Sequence, residues 1–349
     1  MNTQIQIPEF IVTKKNLLQG LDKVLADYQV ASLTKRCGQV LYDVIESSSE
    51  VMLDYQPTVL SPKKFFFPQD ETILEYTSDG DICATVEAKS LVLFGIRPCD
   101  LNGFKILHEA FADDHGDPNY LAKVEQAVVI GMDCDQVCDK DAFCYKVNSQ
   151  EATVGFDIML YASEDDYAIY IASNKGRKFV DKYLITSKAT GDEIKAFKKR
   201  KAENFSEKKP FKNLEKFPEI FEKNKHHSIW EKEGKKCLSC GSCIMVCPTC
   251  YCFDVCDEWQ LNLKKGERVR KWDACMLAPF AVVGSGENFR HSATARLHHR
   301  INRKFNFLMK KHGQSVCVGC GRCVRACLAD ISPQVIAEAI NGEDGGGNK

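Results

Sequence analysis

No apolar run in this sequence approaches the ~18 residues that a membrane-spanning helix requires, so no span is expected. No charge of one sign dominates either. A balance of 47 Lys and Arg against 48 Asp and Glu leaves a formal net charge of −1, which argues against nucleic acid as the main partner. The glycines never form G-x-G-x-x-G opening a helix, so the usual dinucleotide fingerprint is missing. No Ser/His/Asp set or carboxylate pair stands in a context that marks it as catalytic, and no catalytic residue is assigned. The opening residues, Met1 to Pro8, lack a basic segment leading into an apolar one, which reads as no secretory signal. What remains is a chain with the charged content of a globular protein, 27%, and at 349 residues room for two domains.

Cysteine is what the sequence has in excess. Eighteen thiols in a chain read as carrying no export signal point to metal binding rather than disulfides, and to a reducing compartment, the cytoplasm. Cys237-Leu-Ser-Cys240-Gly-Ser-Cys243-Ile-Met-Val-Cys247-Pro248 is the bacterial ferredoxin run C-x2-C-x2-C-x3-C-P. It returns as Cys317-Val-Gly-Cys320-Gly-Arg-Cys323-Val-Arg-Ala-Cys327, with Leu328 in place of the proline. Three closely spaced thiolates can wrap three corners of one iron–sulfur cube, and the fourth points to the other cluster. Cys237, Cys240, Cys243 and Cys327 are therefore expected on one [4Fe–4S] cluster, and Cys317, Cys320, Cys323 and Cys247 on a second. Two zinc sites are the bland alternative, since C-x2-C is also a zinc spacing, but four cysteines in the same run twice disfavour it.

Residues 1–190 read as an α/β domain. Leu17, Leu18, Leu21, Val24, Leu25 and Tyr28 recur at helical spacing. Phe65-Phe66-Phe67-Pro68 reads as an extended aromatic packing segment, and Cys37 and Cys83, alone in sequence, as buried structural thiols. Residues 91–96 read as a buried strand leading into Arg97-Pro98-Cys99-Asp100, with Asp100 as N-cap of the next helix. A second strand, 127–131, leads into Cys134, with Cys138 and Cys144 beyond. Open α/β sheets place ligand sites at the carboxyl ends of their strands, so Cys99, Cys134, Cys138 and Cys144 are expected to hold a third [4Fe–4S] cluster; the bland reading is packing for one or two of them. Residues 155–160 and 167–172 read as a hairpin.

Residues 191–229 turn polar and Lys-rich and read as a linker, the run Lys198-Lys199-Arg200-Lys201 being a solvated or partner-facing patch rather than a nucleic-acid site. A mostly helical two-cluster domain is expected over 230–341, with a disordered Gly-rich tail at 342–349. About seventy residues separate the cysteine runs, so the insert between them must be structured. Within it 290–311 reads as a helix with Leu297, Ile301, Phe305 and Leu308 on one face. Arg296, Arg300, Arg303 and Lys310 lie on the other, offsetting anionic clusters or simply facing solvent. His298 and His299 are read as part of that polar face. Cys250, Cys252, Cys256 and Cys275 are weaker metal candidates, their spacing matching no ferredoxin run.

These motifs carry a resemblance. Phe67-Pro68, Phe94-Gly95-Ile96-Arg97-Pro98-Cys99-Asp100, Phe143-Cys144, Cys247-Pro-Thr-Cys250-Tyr-Cys252, Trp272-Asp-Ala-Cys275 and Asn288-Phe289-Arg290, with both ferredoxin runs, occur in this order over nearly the whole chain. The chain resembles the iron–sulfur β subunits of cytoplasmic [NiFe] sulfhydrogenases and the A subunit of anaerobic sulfite reductase. It departs from them at Ala142, where many relatives have cysteine, at Leu328, and in carrying Cys256. The resemblance implies a non-catalytic subunit of an oxidoreductase complex. Such a subunit passes electrons between a flavoprotein subunit that binds NAD(P)H and a catalytic redox subunit: a hydrogenase, a sulfite reductase or a heterodisulfide-reductase-like partner. Two rival classes stand beside it: a redox enzyme acting on substrate at an incompletely ligated third cluster, and a structural zinc module.

Overall fold

The computed structural model describes residues 8–163 and 165–342. The chain divides into two units, and neither is continuous in sequence. The first comprises Met1–Phe66, Val86–Lys140 and Ser149–Lys209; the second comprises Phe67–Thr85, Asp141–Asn148 and Pro210–Lys349. The expected tail beyond residue 342 and Glu164 of the expected hairpin loop lie outside the described residues. Among the described residues no helix is long and apolar enough to cross a membrane.

The first unit is built on an eight-stranded sheet. Leu91–Ile96 and Ala127–Met132 are buried at every position, which is what a strand covered on both faces requires. They pair in parallel with each other, with Gln29–Arg36 on one side and with Ile158–Ala162 on the other. Antiparallel strands finish both edges: Gln39–Ile45 at one, and Asp166–Ile171, Phe10–Thr13 and Ser187–Lys188 at the other. Helix Lys14–Val24, capped by the Thr13 hydroxyl, buries Leu17, Leu21 and Val24 against this sheet. The expected hairpin is present as Ile158–Ala162 and Asp166–Ile171.

Three local readings change. Pro62–Phe65 is a 3-10 turn rather than an extended segment, with Pro62 at its start and the Ser61 hydroxyl capping it. Phe66 and Phe67 beyond it are buried, as a packing role demands. The helix after Leu91–Ile96 starts at Pro98, so Arg97 is its N-cap and Asp100 sits inside the first turn. Proline is favoured there because the N–H it lacks is one that the first turn leaves unpaired in any case. Asp100 is fully buried and accepts from Ser61 Oγ at 3.0 Å. Cys37 and Cys83 are exposed, not buried. Cys37 and Gly38 form a two-residue hairpin turn with φ of 48° and 81°, and Cys83 lies on the short exposed strand Ile82–Ala84.

The second unit is not purely helical. Phe253–Trp259 and Lys265–Trp272, both inside the insert, form a hairpin that pairs with Asp70–Thr77, which in turn pairs with Ile82–Ala84. Phe253–Trp259 is exposed or half-exposed throughout, so it lacks the alternation that marks a strand in sequence. The sheet is fastened by Phe67 stacking on Trp272 at 5.7 Å and by the buried ion pair of Arg270 with Glu71. Helices supply the rest, around a core that includes Phe217, Phe221, Trp230, Leu297, Ile301, Phe305 and Ile336.

The Lys-rich stretch 191–229 also contains helices, Asp192–Asn204 and Phe217–Lys223 among them. Two of its four clustered cations turn inward. Arg200 pairs with Asp135 at 2.8 Å, and Lys201, 6% exposed, reaches both oxygens of Asp133 at 2.9 Å. Both this pair and the hairpin turn at Cys37 can be tested by stability measurements. Lys201→Ala leaves Asp133 buried without its cation and should cost roughly 3 kcal/mol in denaturant unfolding. Cys37→Asn suits a left-handed turn position better than cysteine and should raise stability by about 0.5 kcal/mol, read as a small rise in thermal midpoint.

Candidate metal centres

The two ferredoxin runs fold alike, residue for residue. Gly241 and Gly321 adopt left-handed φ of 79° and 72° and open the short helices Ser242–Met245 and Arg322–Arg325. Both positions need glycine for space as well. A Cβ on Gly241 would meet that of Ala274 at 2.9 Å, and one on Gly321 would meet the Asp141 carbonyl oxygen at 2.7 Å. The amides of Ile244 and Val324 donate to these glycines at 2.9 Å, and those of Cys247 and Cys327 donate to the Ile244 and Val324 carbonyls at 3.2 and 3.0 Å. The repeat therefore survives the change of proline to leucine at 328, an 85% exposed side chain.

Each short helix lets its fourth cysteine leave its own run. One cavity is lined by Cys237, Cys240, Cys243 and Cys327, with Leu238, Met276, Leu297 and Ile331 as apolar wall. The other is lined by Cys317, Cys320, Cys323 and Cys247, with Phe143, Pro248, Val318 and Pro333. Backbone amides approach the sulfurs: Ser239 N–H to Cys237 Sγ and Ile331 N–H to Cys327 Sγ, both at 3.4 Å. None of the eighteen cysteines is joined in a disulfide. Among the described residues, no three Cys, His, Asp or Glu side chains converge closely enough to chelate one metal ion. Thiols spread around a cavity suit a four-iron cube better than a single zinc. Burial pushes the Cys243 thiol up to about 11, and moves Cys317 in the same direction. Left unliganded, these groups stay protonated, and binding a metal must displace their protons.

The helix of the insert runs along both cavities. It is α-helical over Ala293–Asn302, widens to a π turn over Arg303–Phe307, and closes as Leu308–His312. The extra residue in the wide turn rotates the last turn of the helix by about 100°, so Met309 rather than Leu308 reaches the core. The supposed solvent face is largely buried. Arg296, 4% exposed, donates to the Ser239 hydroxyl at 2.7 Å and to the carbonyls of Arg290 and His291. Arg300 lines both cavities. Lys304, also buried, donates to Thr249 Oγ1 at 2.6 Å and its carbonyl at 3.2 Å beside Cys247. Only Arg303 and Lys310 keep substantial exposure, Arg303 donating to the Tyr251 hydroxyl and Lys310 pairing with Glu222. His298 packs edge-on to Trp230, and burial with Arg290 and Arg303 nearby pushes His299 down to about 4.

The weaker candidates separate. Cys250 and Cys275 are buried and Cys252 half-buried, all within or against the core of the second unit. Cys250 meets Cys247, and Cys252 meets Cys275, each pair sharing a hydrogen bond between sulfurs. That bond lowers the Cys252 thiol from its ordinary value against the opposing effect of burial. Cys256 stands apart on Phe253–Trp259, opposite Val269 and near Glu258.

In the first unit, the parallel pairing of Leu91–Ile96 with Ala127–Met132 brings their carboxyl ends to one edge. Cys99 lies in the first helical turn beyond one strand, and Cys134 two residues beyond the other. A cavity of about 410 Å³ opens there, lined by Cys134 and Cys138 with Arg97, Tyr55, Asp133, Asp135 and Tyr167; Cys99 is not on its wall. Arg97 is buried under it, donating to the carbonyls of Asp133 at 2.9 Å and Leu53 at 3.3 Å, with its guanidinium 4.7 Å from the Tyr55 ring centre. Burial pushes Cys134 up to about 11, and Arg97 and Lys201 pull against it. Cys144 belongs to the second unit, in the 3-10 turn Cys144–Val147, where the Phe143 amide donates to the Gly319 carbonyl at 2.7 Å.

Sequence reasoning found the thiols and named Arg296 and Arg300 as cations that either offset clusters or face solvent, but did not name Lys304. Arg296, Arg300 and Lys304 recur every fourth residue, a spacing that puts them on one stripe, but the stripe alone does not say whether it faces solvent or sulfur. Arg97 was visible only as part of a motif.

Comparison with known proteins agrees with this geometry. Residues 236–331 match the family described as a 4Fe-4S dicluster domain. Over 308 residues the chain is 33% identical to sulfhydrogenase 2 subunit beta of Pyrococcus furiosus, a match that takes in 86% of this chain and 88% of that one. With two four-thiol cavities inside the matched domain and similarity along most of its length, the chain belongs to the sulfhydrogenase beta-subunit family.

Proposed function

We propose that this chain is an electron-transfer subunit, relaying electrons through [4Fe–4S] clusters between a flavoprotein that oxidises NAD(P)H and a catalytic redox partner. The observation that carries the reading is the pair of cavities, each walled by three cysteines of one run and the fourth of the other. A [4Fe–4S] cluster supplies one-electron redox chemistry at a potential set by charge, hydrogen bonds and solvent around it. The chain's own groups provide those surroundings. Thiolates of Cys237, Cys240, Cys243 and Cys327 hold one cluster, and those of Cys317, Cys320, Cys323 and Cys247 the other. Met276, Leu297 and Ile331 give the first cavity an apolar wall, and the amides of Ser239 and Ile331 donate to ligand sulfurs. The sulfhydrogenase relative supports a multi-subunit setting, and the lack of a dinucleotide fingerprint supports a separate flavoprotein as the entry point for pyridine-nucleotide electrons.

A third cluster belongs to the same reading, with Cys99, Cys134 and Cys138 as thiols at the strand ends. Its support is the parallel register, the cavity beside Cys134 and Cys138, and the buried Arg97 guanidinium, whose charge favours an anionic group there.

Iron analysis tests both parts. Chain purified without oxygen should carry about twelve iron, four per cluster. Cys99→Ser should lower this by about four while both ferredoxin-type signals persist. Cys247→Ser should damage the cluster of Cys317, Cys320 and Cys323 and spare the one beside it in sequence; electron paramagnetic resonance distinguishes the two, and the opposite pattern rejects the crossed ligation. A separate expectation concerns electron entry. NADH should not bleach the isolated chain's visible absorption, and should do so once the flavoprotein partner is added; rapid bleaching without it overturns the assignment of roles.

A further inference from the structure

Arg300 is 4% exposed, and its side chain lines the cavity of Cys237, Cys240, Cys243 and Cys327 as well as that of Cys317, Cys320, Cys323 and Cys247. A buried guanidinium ordinarily has a carboxylate or several carbonyls as partners. Arg300 has neither: among the described residues no carboxylate pairs with it, and its Nε has no hydrogen-bond partner. The groups that face it are Cys243, Cys323, Cys250 and Cys247, with Lys304 as a second cation.

We propose that Arg300 is a shared counter-charge: one buried guanidinium that raises the reduction potentials of both clusters at once. This rests on the electron-transfer reading above. A [4Fe–4S] core with four thiolates is anionic when oxidised and gains one further negative charge on reduction. A fixed cation in a low-dielectric wall therefore stabilises the reduced form more than the oxidised one. Because the same cation borders both cavities, it acts on both. Lys304 lines only the cavity of Cys317, Cys320, Cys323 and Cys247, held there by Thr249, and so adds to one potential alone. Their placement four residues apart on one helix gives the chain separate control of a common and a local contribution.

The test is a reductive titration of the holo-chain read by electron paramagnetic resonance, with iron content measured on each sample. Arg300→Gln should make both clusters harder to reduce by at least about tenfold in the one-electron equilibrium constant, 59 mV for a one-electron couple. Arg300→Lys keeps the charge and should keep most of both potentials. Lys304→Gln should shift only the cluster of Cys317, Cys320 and Cys323. Full iron with unchanged potentials in Arg300→Gln overturns the proposal, as does a shift in one cluster alone. Should Arg300→Gln fail to assemble, Arg300→Lys and Lys304→Gln decide. A large loss of potential in the lysine variant, or equal shifts of both clusters in Lys304→Gln, rejects control by charge. Unchanged potentials in a chain that carries both clusters leave the electron-transfer reading standing. A wild-type chain purified anaerobically without cubane iron rejects that reading and this inference together.

Discussion

Eight sulfurs must meet at two places although they come from two stretches some seventy residues apart, and the second unit is arranged around that requirement. Each stretch turns through a left-handed glycine into one turn of helix, which swings its last cysteine away from the other three. The insert cannot be a loose loop, because it supplies the wall: Met276 and Leu297 to one cavity, Lys304 to the other, and Arg300 to both. Removing any thiol would leave an imperfect cage. Removing the wall would leave the charge of the clusters facing water, with a weaker field from every neighbouring cation.

The burial of charge is the second organising feature. Arg296, Arg300 and Lys304 lie inside, while the residues that would ordinarily neutralise them are hydroxyls, carbonyls and thiols rather than carboxylates. In the first unit the pattern differs. Lys201 is matched by Asp133 and Arg200 by Asp135, so the cations at the edge of that cavity already have partners of opposite charge. Arg97 is the exception, held by carbonyls and beside Cys134.

Much of this was legible in the sequence, for identifiable reasons. The ferredoxin runs are read from spacing because the turn that wraps a cube leaves little freedom in where cysteine and glycine stand. The strands Leu91–Ile96 and Ala127–Met132 are read from unbroken apolar runs because both faces are covered. Phe253–Trp259 escaped notice because an exposed hairpin strand needs no alternation. The register of the insert helix past residue 303 escaped because a π turn has no sequence signature, and Met309 takes the place expected of Leu308. Cys37 and Cys83 were misjudged since cysteine is usually buried, while one serves a tight turn and the other an edge strand. The inward turn of Arg200 and Lys201 depends on acids some sixty-five residues earlier, beyond the reach of any local pattern.

The sheet of the second unit also sets a timetable for synthesis. Glu71 and Arg270 sit on adjacent strands, yet 199 residues separate them. At a ribosome speed of ~5–20 residues per second, Asp70–Thr77 waits about 10–40 s before the strand it pairs with exists. Throughout that interval Phe67 has no Trp272 to stack on, and one edge of the strand has no partner. Assembly of the second unit is thus held back until nearly four-fifths of the chain has emerged. An unpaired strand edge of this kind is the sort of surface that chaperones shield during synthesis.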